Sequence, residues 1–205
     1  MRGLYAVKPW FVRSLQPLED LLVRRGVTPD ALTVAAVVVS ILGGALLAVG
    51  GAAQEPLLWL LVPPLGIVRL VLNALDGSLA RRTGRDRPFG EVLNELGDRV
   101  SDAALIVPFI VVVPPVLVVC ALVVTGLVST LGLCGRLSGE RLGSGPMGKA
   151  DRVAVVSLAA SLAGVTASET PLQVAAVVIL AGGLVTVPIR TRRLHVKLGG
   201  ARHAR

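Results

Sequence analysis

LNALDGSLARRTGRDRPFGEVLNELGDRVSD, residues 72–102, leaves one apolar segment, crosses a burst of arginines and enters another apolar segment. Asp76, Glu95, Asp98 and Asp102 sit beside or inside those greasy runs. A charge at membrane depth costs about 2.5–3.5 kcal/mol even on the gentler scales, so several in one short stretch demand a reason.

The flanking sequence establishes that membrane depth is the right frame. Of 205 residues, 53% are hydrophobic, 3% aromatic and only 17% charged. A soluble domain of this length needs far more polar surface. Apolar runs of about 20 residues, the length that matches a bilayer's hydrocarbon thickness, recur along the chain and are built from Ala, Val, Leu and Gly. The expected fold is therefore an all-α membrane protein. The formal charge of +8 would suit nucleic acid, but the basic residues lie between the apolar runs and at both ends, so no nucleic-acid partner is expected. Cys120 and Cys134 lack metal-ligand spacing and read as small packing residues. Residues 1–30 hold Glu19, Asp20, Arg24 and Arg25 where a signal peptide would be apolar, so no cleavable signal is expected.

Six spans are predicted, near 31–50, 56–80, 91–113, 115–135, 152–168 and 171–189. They make a six-helix transmembrane domain over 31–189, between a juxtamembrane segment, 1–30, and a basic tail, 190–205. Pro56, Pro115 and Pro171 fall at helix starts, where a missing N–H is harmless, whereas Pro63 and Pro64 should kink or break the second span. Arg81, Arg82, Arg85 and Arg87, then Arg136, Arg141 and Lys149, then Arg190, Arg192, Arg193 and Lys197 fall in alternate connections, while GGAAQE, VPP and SET hold no lysine or arginine. The positive-inside rule then puts both termini in the cytoplasm, as an even number of spans requires. Ahead of the first span, Leu15, Leu18, Leu21 and Leu22 fall at helical spacing among arginines, an amphipathic helix expected to lie in the cytoplasmic interface.

Asn73, Asp76, Gly77 and Ala80 share one helical face. Asn94, Asp98 and Asp102, spaced by four, share another, with Glu95 alongside. The connection between the two helices is short, so they are expected as antiparallel neighbours with these oxygen-bearing stripes facing each other at the cytoplasmic end. Hard oxygen donors without His or Cys suit Mg²⁺, Mn²⁺ or Ca²⁺ rather than zinc or copper. The plainer alternative neutralises the acids with Arg69 or Arg99 as internal ion pairs; the number of carboxylates on two helices weighs against it. Gly77 and Gly90 lack side chains and would let a ligand or a backbone come close.

The spacing Asn73-x₂-Asp76-Gly77-x₂-Ala80-Arg81-x₈-Gly90-x₃-Asn94-x₃-Asp98 resembles the signature of the CDP-alcohol phosphotransferases, D-x₂-D-G-x₂-A-R-x₈-G-x₃-D-x₃-D. VTPDALT, residues 27–33, is similar to that family's PN-x-x-T approach to its first helix. Two positions depart: the first and third motif aspartates are Asn73 and Asn94, which keep a carbonyl oxygen but bring no negative charge. Glu95 and Asp102 are candidate compensating acids. The pattern resembles a branch of the family with Asn at those two positions.

The resemblance implies six transmembrane helices with the motif on the second and third. It also implies a membrane transferase of phospholipid biosynthesis. Such an enzyme moves a phosphatidyl group from a CDP-linked lipid such as CDP-diacylglycerol to an acceptor alcohol and releases CMP. One or two Mg²⁺ or Mn²⁺ ions would be held by Asn73, Asp76, Asn94 and Asp98, and Asp98 would be the catalytic base. The cytidine diphosphate would lie against Asp30, Thr33, Asn73, Gly77 and Arg81; as part of a helix cap, Asp30 and Thr33 need no such role. A homodimer in a bacterial cytoplasmic membrane, its active site facing the cytoplasm, completes the expectation.

A second basic element, GPMGKADR at 145–152, makes Lys149 and Arg152, alongside Arg136 or Arg141, candidates to bind a phosphate on the acceptor. The alternative is that these residues only set topology. Two further readings stay open. One is a catalytically silent CDP-lipid binder, should Asn73 and Asn94 abolish metal binding. The other is a small ion-coupled transporter, which would place its carboxylates near the midplane rather than against the arginine-rich ends.

Overall fold

Prolines and one threonine cap set most of the helix starts. In the computed structural model, which describes residues 14–84, 87–139 and 142–200, a short α1 (Gln16–Arg24) precedes α2 (Pro29–Ala52). Thr28 caps α2, its Oγ1 accepting the Ala31 N–H at 3.2 Å, with Pro29 in the first turn. A 3₁₀ turn, Pro56–Leu61, leads into α3 (Val62–Arg82). Prolines also open α4 (Pro88–Ile106) and α5 (Pro115–Leu137). The remaining helices are α6 (Lys149–Thr166) and α7 (Thr170–Gly200), and there is no strand among the described residues.

Four stretches are long and apolar enough to cross a membrane: Pro29–Ala52, Pro56–Arg82, Pro115–Leu137 and Thr170–Leu198. The sequence reading expects six. The other two helices, α4 and α6, are 19 and 18 residues long but carry the charged side chains of the central cluster, which lowers their apolar content. Pro63 and Pro64 act as expected: the 3₁₀ turn gives way to α-helix at Val62, with the prolines in the first turn where no donor is missed. Helix α7 runs on past Pro188 to Gly200, through the position where the basic tail begins.

Helix α2 is the axis of one half of the bundle, packing against both α3 and α4; α5 packs on α7, and α6 joins the halves by touching α3 and α7. The sequence predicts α3 and α4 as direct neighbours, yet they make little close backbone contact with each other. Small residues explain the difference. A Cβ at Gly44 would run into the Ala104 carbonyl, and one at Gly97 would stand 3.0 Å from Thr33 Cγ2, so α2 and α4 meet at backbone distance. The two motif helices thus lean on α2, and their facing sides are left apart.

The larger core lies toward the end away from the arginines, where Leu47, Trp59, Ile106, Phe109, Val156 and Ile179 interlock and Trp59 Nε1 donates to the Leu47 carbonyl at 3.3 Å. A smaller cluster of Leu32, Leu75 and Leu79 receives Leu22 of α1 and Leu15 at its N-cap. Helix α1 therefore docks on the bundle through half of the leucines that the sequence assigns to lipid, helped by a 2.5 Å Arg82–Asp20 ion pair, while Leu18 and Leu21 stay exposed. Residues 1–13 of the predicted juxtamembrane segment lie outside the described residues. Exposed Val34, Val38, Ile41 and Leu42 on α2, and Val116, Val119, Val123 and Leu127 on α5, form apolar flanks of the kind a bilayer covers. Cys120, expected to pack, instead points outward with them.

Gly44→Ala is expected to lower stability by about 1–3 kcal/mol in thermal unfolding of the detergent-solubilised protein, as overpacking does. Gly126→Ala, which has open space around it, should leave the transition unchanged or slightly raised.

Candidate active site

Asp102 on α4 is 5% exposed and has both carboxylate oxygens engaged. Oδ1 accepts from Arg69 of α3 at 2.9 Å and Oδ2 accepts from Arg152 of α6 at 2.5 Å. Arg69 is itself 1% exposed, and Arg152 donates also to the Met147 carbonyl at 3.4 Å. This buried trio spans the opening between α3 and α4 and floors it. Glu95, on a neighbouring face of α4, is taken by Arg99 and by Arg136 of α5. Internal ion pairing of Arg69 and Arg99 is therefore real, but it accounts for Asp102 and Glu95 only. Neither acid has a carboxylate oxygen free to compensate for the motif asparagines; of the candidate acceptor ligands, Arg152 is buried on Asp102, and Arg136 pairs with Glu95 while staying 57% exposed. Arg141 lies outside the described residues.

Above that floor, toward the arginine-rich end, the motif residues behave differently. Asp76, 4% exposed, has no arginine on it: Oδ1 accepts the Gly77 N–H at 2.5 Å and Oδ2 accepts a long hydrogen bond from Thr33 Oγ1 at 3.4 Å. Asp98, 19% exposed, accepts from Lys149 Nζ at the start of α6. Asp76 lies within electrostatic reach of both Asp98 and Lys149. The close approach of Gly97 to Thr33 and Val37 lets three helices contribute to one spot. Asn94, a turn before Asp98, has its Oδ1 buried without a donor, and Asn73 has its Nδ2 buried without an acceptor. Arg81 folds back over Gly77, its Nη1 3.4 Å from where a Cβ would stand. It makes no ion pair among the described residues, its neighbour Arg82 being the one bound to Asp20. Asp30 sits at the rim, 3.6 Å from a Cβ built on Gly90 and paired with Arg87 at 2.7 Å.

This donor set fits a hard divalent cation. Asp76 and Asp98 are close enough to act on each other electrostatically, and Asn94, one turn before Asp98 on α4, holds a buried carbonyl oxygen without a donor, an acceptor suited to a positive partner. The set is also thin. No group of three His, Cys, Asp or Glu side chains able to hold a metal gathers among the described residues.

The position of Lys149 is built by the preceding loop. Gly145 adopts φ +107°, open to glycine but strained for other residues, and a Cβ there would collide with Thr186 of α7. The Met147 N–H donates to Thr186 Oγ1 at 3.1 Å. Arg190, 5% exposed, donates to the Ser144 carbonyl at 3.1 Å and to the Val128 carbonyl at 2.7 Å. In the sequence Arg190 is one basic residue of a basic tail; its place two residues after a proline that ends an apolar run was the available signal of burial. The cavity beneath the floor, lined by Ser40, Gly43, Gly66, Arg69 and Ser157 among others, is largely apolar and lies on the far side of Arg69 from Asp76.

Membrane-length helices, apolar flanks and an oxygen-bearing polar cluster at the basic end define a helical membrane protein with a candidate site at one end of its bundle. A family model described as CDP-alcohol phosphatidyltransferase matches residues 26–189, and the chain belongs to that family. It is 39% identical to the inner membrane protein YnbA of Escherichia coli over 158 residues, 76% of this chain and 77% of that one. It is 26% identical to the phosphatidylinositol phosphate synthase of Mycobacteroides abscessus over 216 residues, 97% of this chain and 91% of that one. The crystal structure of the Mycobacterium tuberculosis phosphatidylinositol phosphate synthase with CDP-DAG bound aligns with a TM-score of 0.71 at 22% identity, covering 89% of this chain and 94% of that one. The same enzyme in complex with manganese and citrate aligns at 0.69 and 21% identity, covering 87% of each chain. At such identity these two alignments establish the shared fold.

Asp102→Asn should destabilise the protein by about 3–5 kcal/mol, because it strips the counter-charge from two buried arginines. Asp98→Asn, at the half-open site, should change stability by no more than about 1 kcal/mol. Denaturant unfolding of both variants, read side by side, checks the contrast.

Proposed function

We propose that this protein is a metal-dependent phosphatidyltransferase that carries the phosphatidyl group of a CDP-linked lipid, such as CDP-diacylglycerol, to an acceptor alcohol. The observation that supports it best is selective pairing: arginines take both oxygens of Glu95 and of Asp102, while among the described residues no arginine pairs with Asp76 or Asp98, the Asn94 oxygen has no donor, and Arg81 over Gly77 has no acidic partner. Six spans with both ends in the cytoplasm are part of the proposal, resting on the alternation of basic and non-basic connections. The homodimer is carried on the family resemblance alone.

Arg81 lies over side-chain-free Gly77, where a fork-shaped cation can hold diphosphate oxygens. Thr33 borders the same space, with Asn73 on the next turn of α3 inward from Asp76. Asp76, Asn94 and Asp98, with Asn73 when its amide oxygen turns inward, would hold Mg²⁺ or Mn²⁺. When bound, such an ion neutralises charge developing on the diphosphate. Asp98 is the base: it takes the proton of the acceptor hydroxyl as the oxygen bonds to the lipid-bearing phosphorus. The bond from that phosphorus to the bridging oxygen breaks, and CMP leaves with the electron pair. The Arg69–Asp102–Arg152 floor keeps this chemistry at the cytoplasmic end and holds α3, α4 and α6 in register. Lys149, beside the base, suits a phosphate on the acceptor, so a phosphorylated polyol is the favoured acceptor class.

The thin donor set favours one other reading, a silent CDP-lipid binder. Purified protein given CDP-diacylglycerol, Mn²⁺ and a panel of plain and phosphorylated alcohols separates the two. The transferase releases CMP with at least one acceptor, stops when the metal is chelated, and loses about a hundred- to ten-thousand-fold in rate on Asp98→Asn. CDP-lipid retained without CMP under every condition identifies the binder.

A further inference from the structure

Helices α4 and α6 are joined by two rungs of opposite charge, Asp98–Lys149 and Asp102–Arg152. The rungs are four residues apart on α4 and three on α6, so each falls on the next turn of both helices. They are not equivalent. The inner one is 5% exposed on both sides and reinforced by Arg69, a permanent joint. The outer rung is 25% exposed at the lysine and 19% at the aspartate, and among the described residues no second cation pairs with Asp98. A lysine is a compact charge on a flexible stem, suited to leaving one partner for another.

Charge counting gives that outer rung a task. Asn73 and Asn94 bring none, so the four motif positions carry only the two formal negative charges of Asp76 and Asp98. Lys149 cancels one of these while it sits on Asp98. A divalent cation entering the substrate-free site meets a net charge of −1 from Asp76, Asp98 and Lys149, reduced to zero by Arg81 beside Gly77, and must evict an ammonium from the carboxylate it needs. A diphosphate entering at the same time changes both conditions, since it adds negative charge and offers the displaced lysine a new anionic partner.

We propose that Lys149 is a resident counter-cation that occupies Asp98 until metal and CDP-lipid arrive together, so that neither binds well alone and the base is uncovered only when the donor is in place. This rests on the reading of Asp98 as a metal ligand given above. Coupling of this kind is reciprocal: the nucleotide strengthens metal binding by the factor with which the metal strengthens nucleotide binding.

The test is Mn²⁺ binding to the purified full chain in detergent, read from the loss of the free-ion electron paramagnetic resonance signal, without and with CDP. Without nucleotide, K149Q should bind Mn²⁺ about tenfold more tightly than the unsubstituted protein, the scale of one charge-assisted hydrogen bond no longer in competition. K149R, which keeps the charge, should stay within about twofold of the unsubstituted protein, because the competing cation is still there. With CDP present, the gap between K149Q and the unsubstituted protein should shrink. An affinity in K149Q equal to or weaker than that of the unsubstituted protein overturns the proposal, as does Mn²⁺ binding undetectable in K149Q at millimolar concentration. D98N in the K149Q background separates the two layers. Lost binding supports Asp98 as the contested ligand. Unchanged binding removes the metal assignment itself, and with it this inference. Unfolding transitions of K149Q and K149R, with the inner rung intact, are expected to match the unsubstituted protein, so the binding differences report the site.

Discussion

One carboxylate holds this molecule's charged interior together. Asp102 gives one oxygen to Arg69 and the other to Arg152, and so ties α3, α4 and α6 at a depth where an unpaired charge would be intolerable. Two arginines on one aspartate leave the trio net positive, and Arg69 Nε and Nη1 and Arg152 Nε have no hydrogen-bond partner. Buried ion pairs are weak sources of stability but firm sources of position, because each partner is costly without the others. Helices α3 and α4 have little direct backbone contact; α2 holds them apart, and this side-chain bridge is the link that spans the opening between them.

Everything catalytic in the proposed function stands on that floor. The same short stretch of sequence contains acids of two kinds, which their partners tell apart. Asp102 and Glu95 have arginines on both oxygens, whereas Asp76 rests on a threonine hydroxyl and a backbone N–H, and Asp98 on one movable lysine. Arginine's delocalised, fork-shaped cation makes a permanent clamp, and lysine's point charge makes an exchangeable one. Loop 142–148 belongs to the same design: Thr186 and Arg190 of α7 grip it so that α6 begins with Lys149 over Asp98.

Residues 72–102 and their flanks carry the helical class and the proline-broken entry to α3 in their local pattern. That pattern does not reach the partnering. Spacing by four places Asn94, Asp98 and Asp102 on one stripe but says nothing of which arginine, from which distant helix, meets each. Arg152 read as an acceptor ligand because its burial against α4 depends on a contact fifty residues away in sequence. Arg190 was hidden among the other basic residues of the tail for the same reason. Leu15 and Leu22 read as lipid-facing in the sequence because amphipathicity records an apolar face without recording what covers it.

By itself, then, the sequence determined the things that follow from local periodicity and composition: apolar helices of membrane length, the connections in which basic residues cluster, and the helical face on which the spacing of the motif sets each of its residues. Only the tertiary structure decided that α2, through glycine contacts, props the motif helices apart, and that arginines silence two acids while sparing two others. The physical reason is that both outcomes are set by pairings between helices far apart in the chain. Charge neutralisation and close packing are properties of such pairs, and no single helix encodes them.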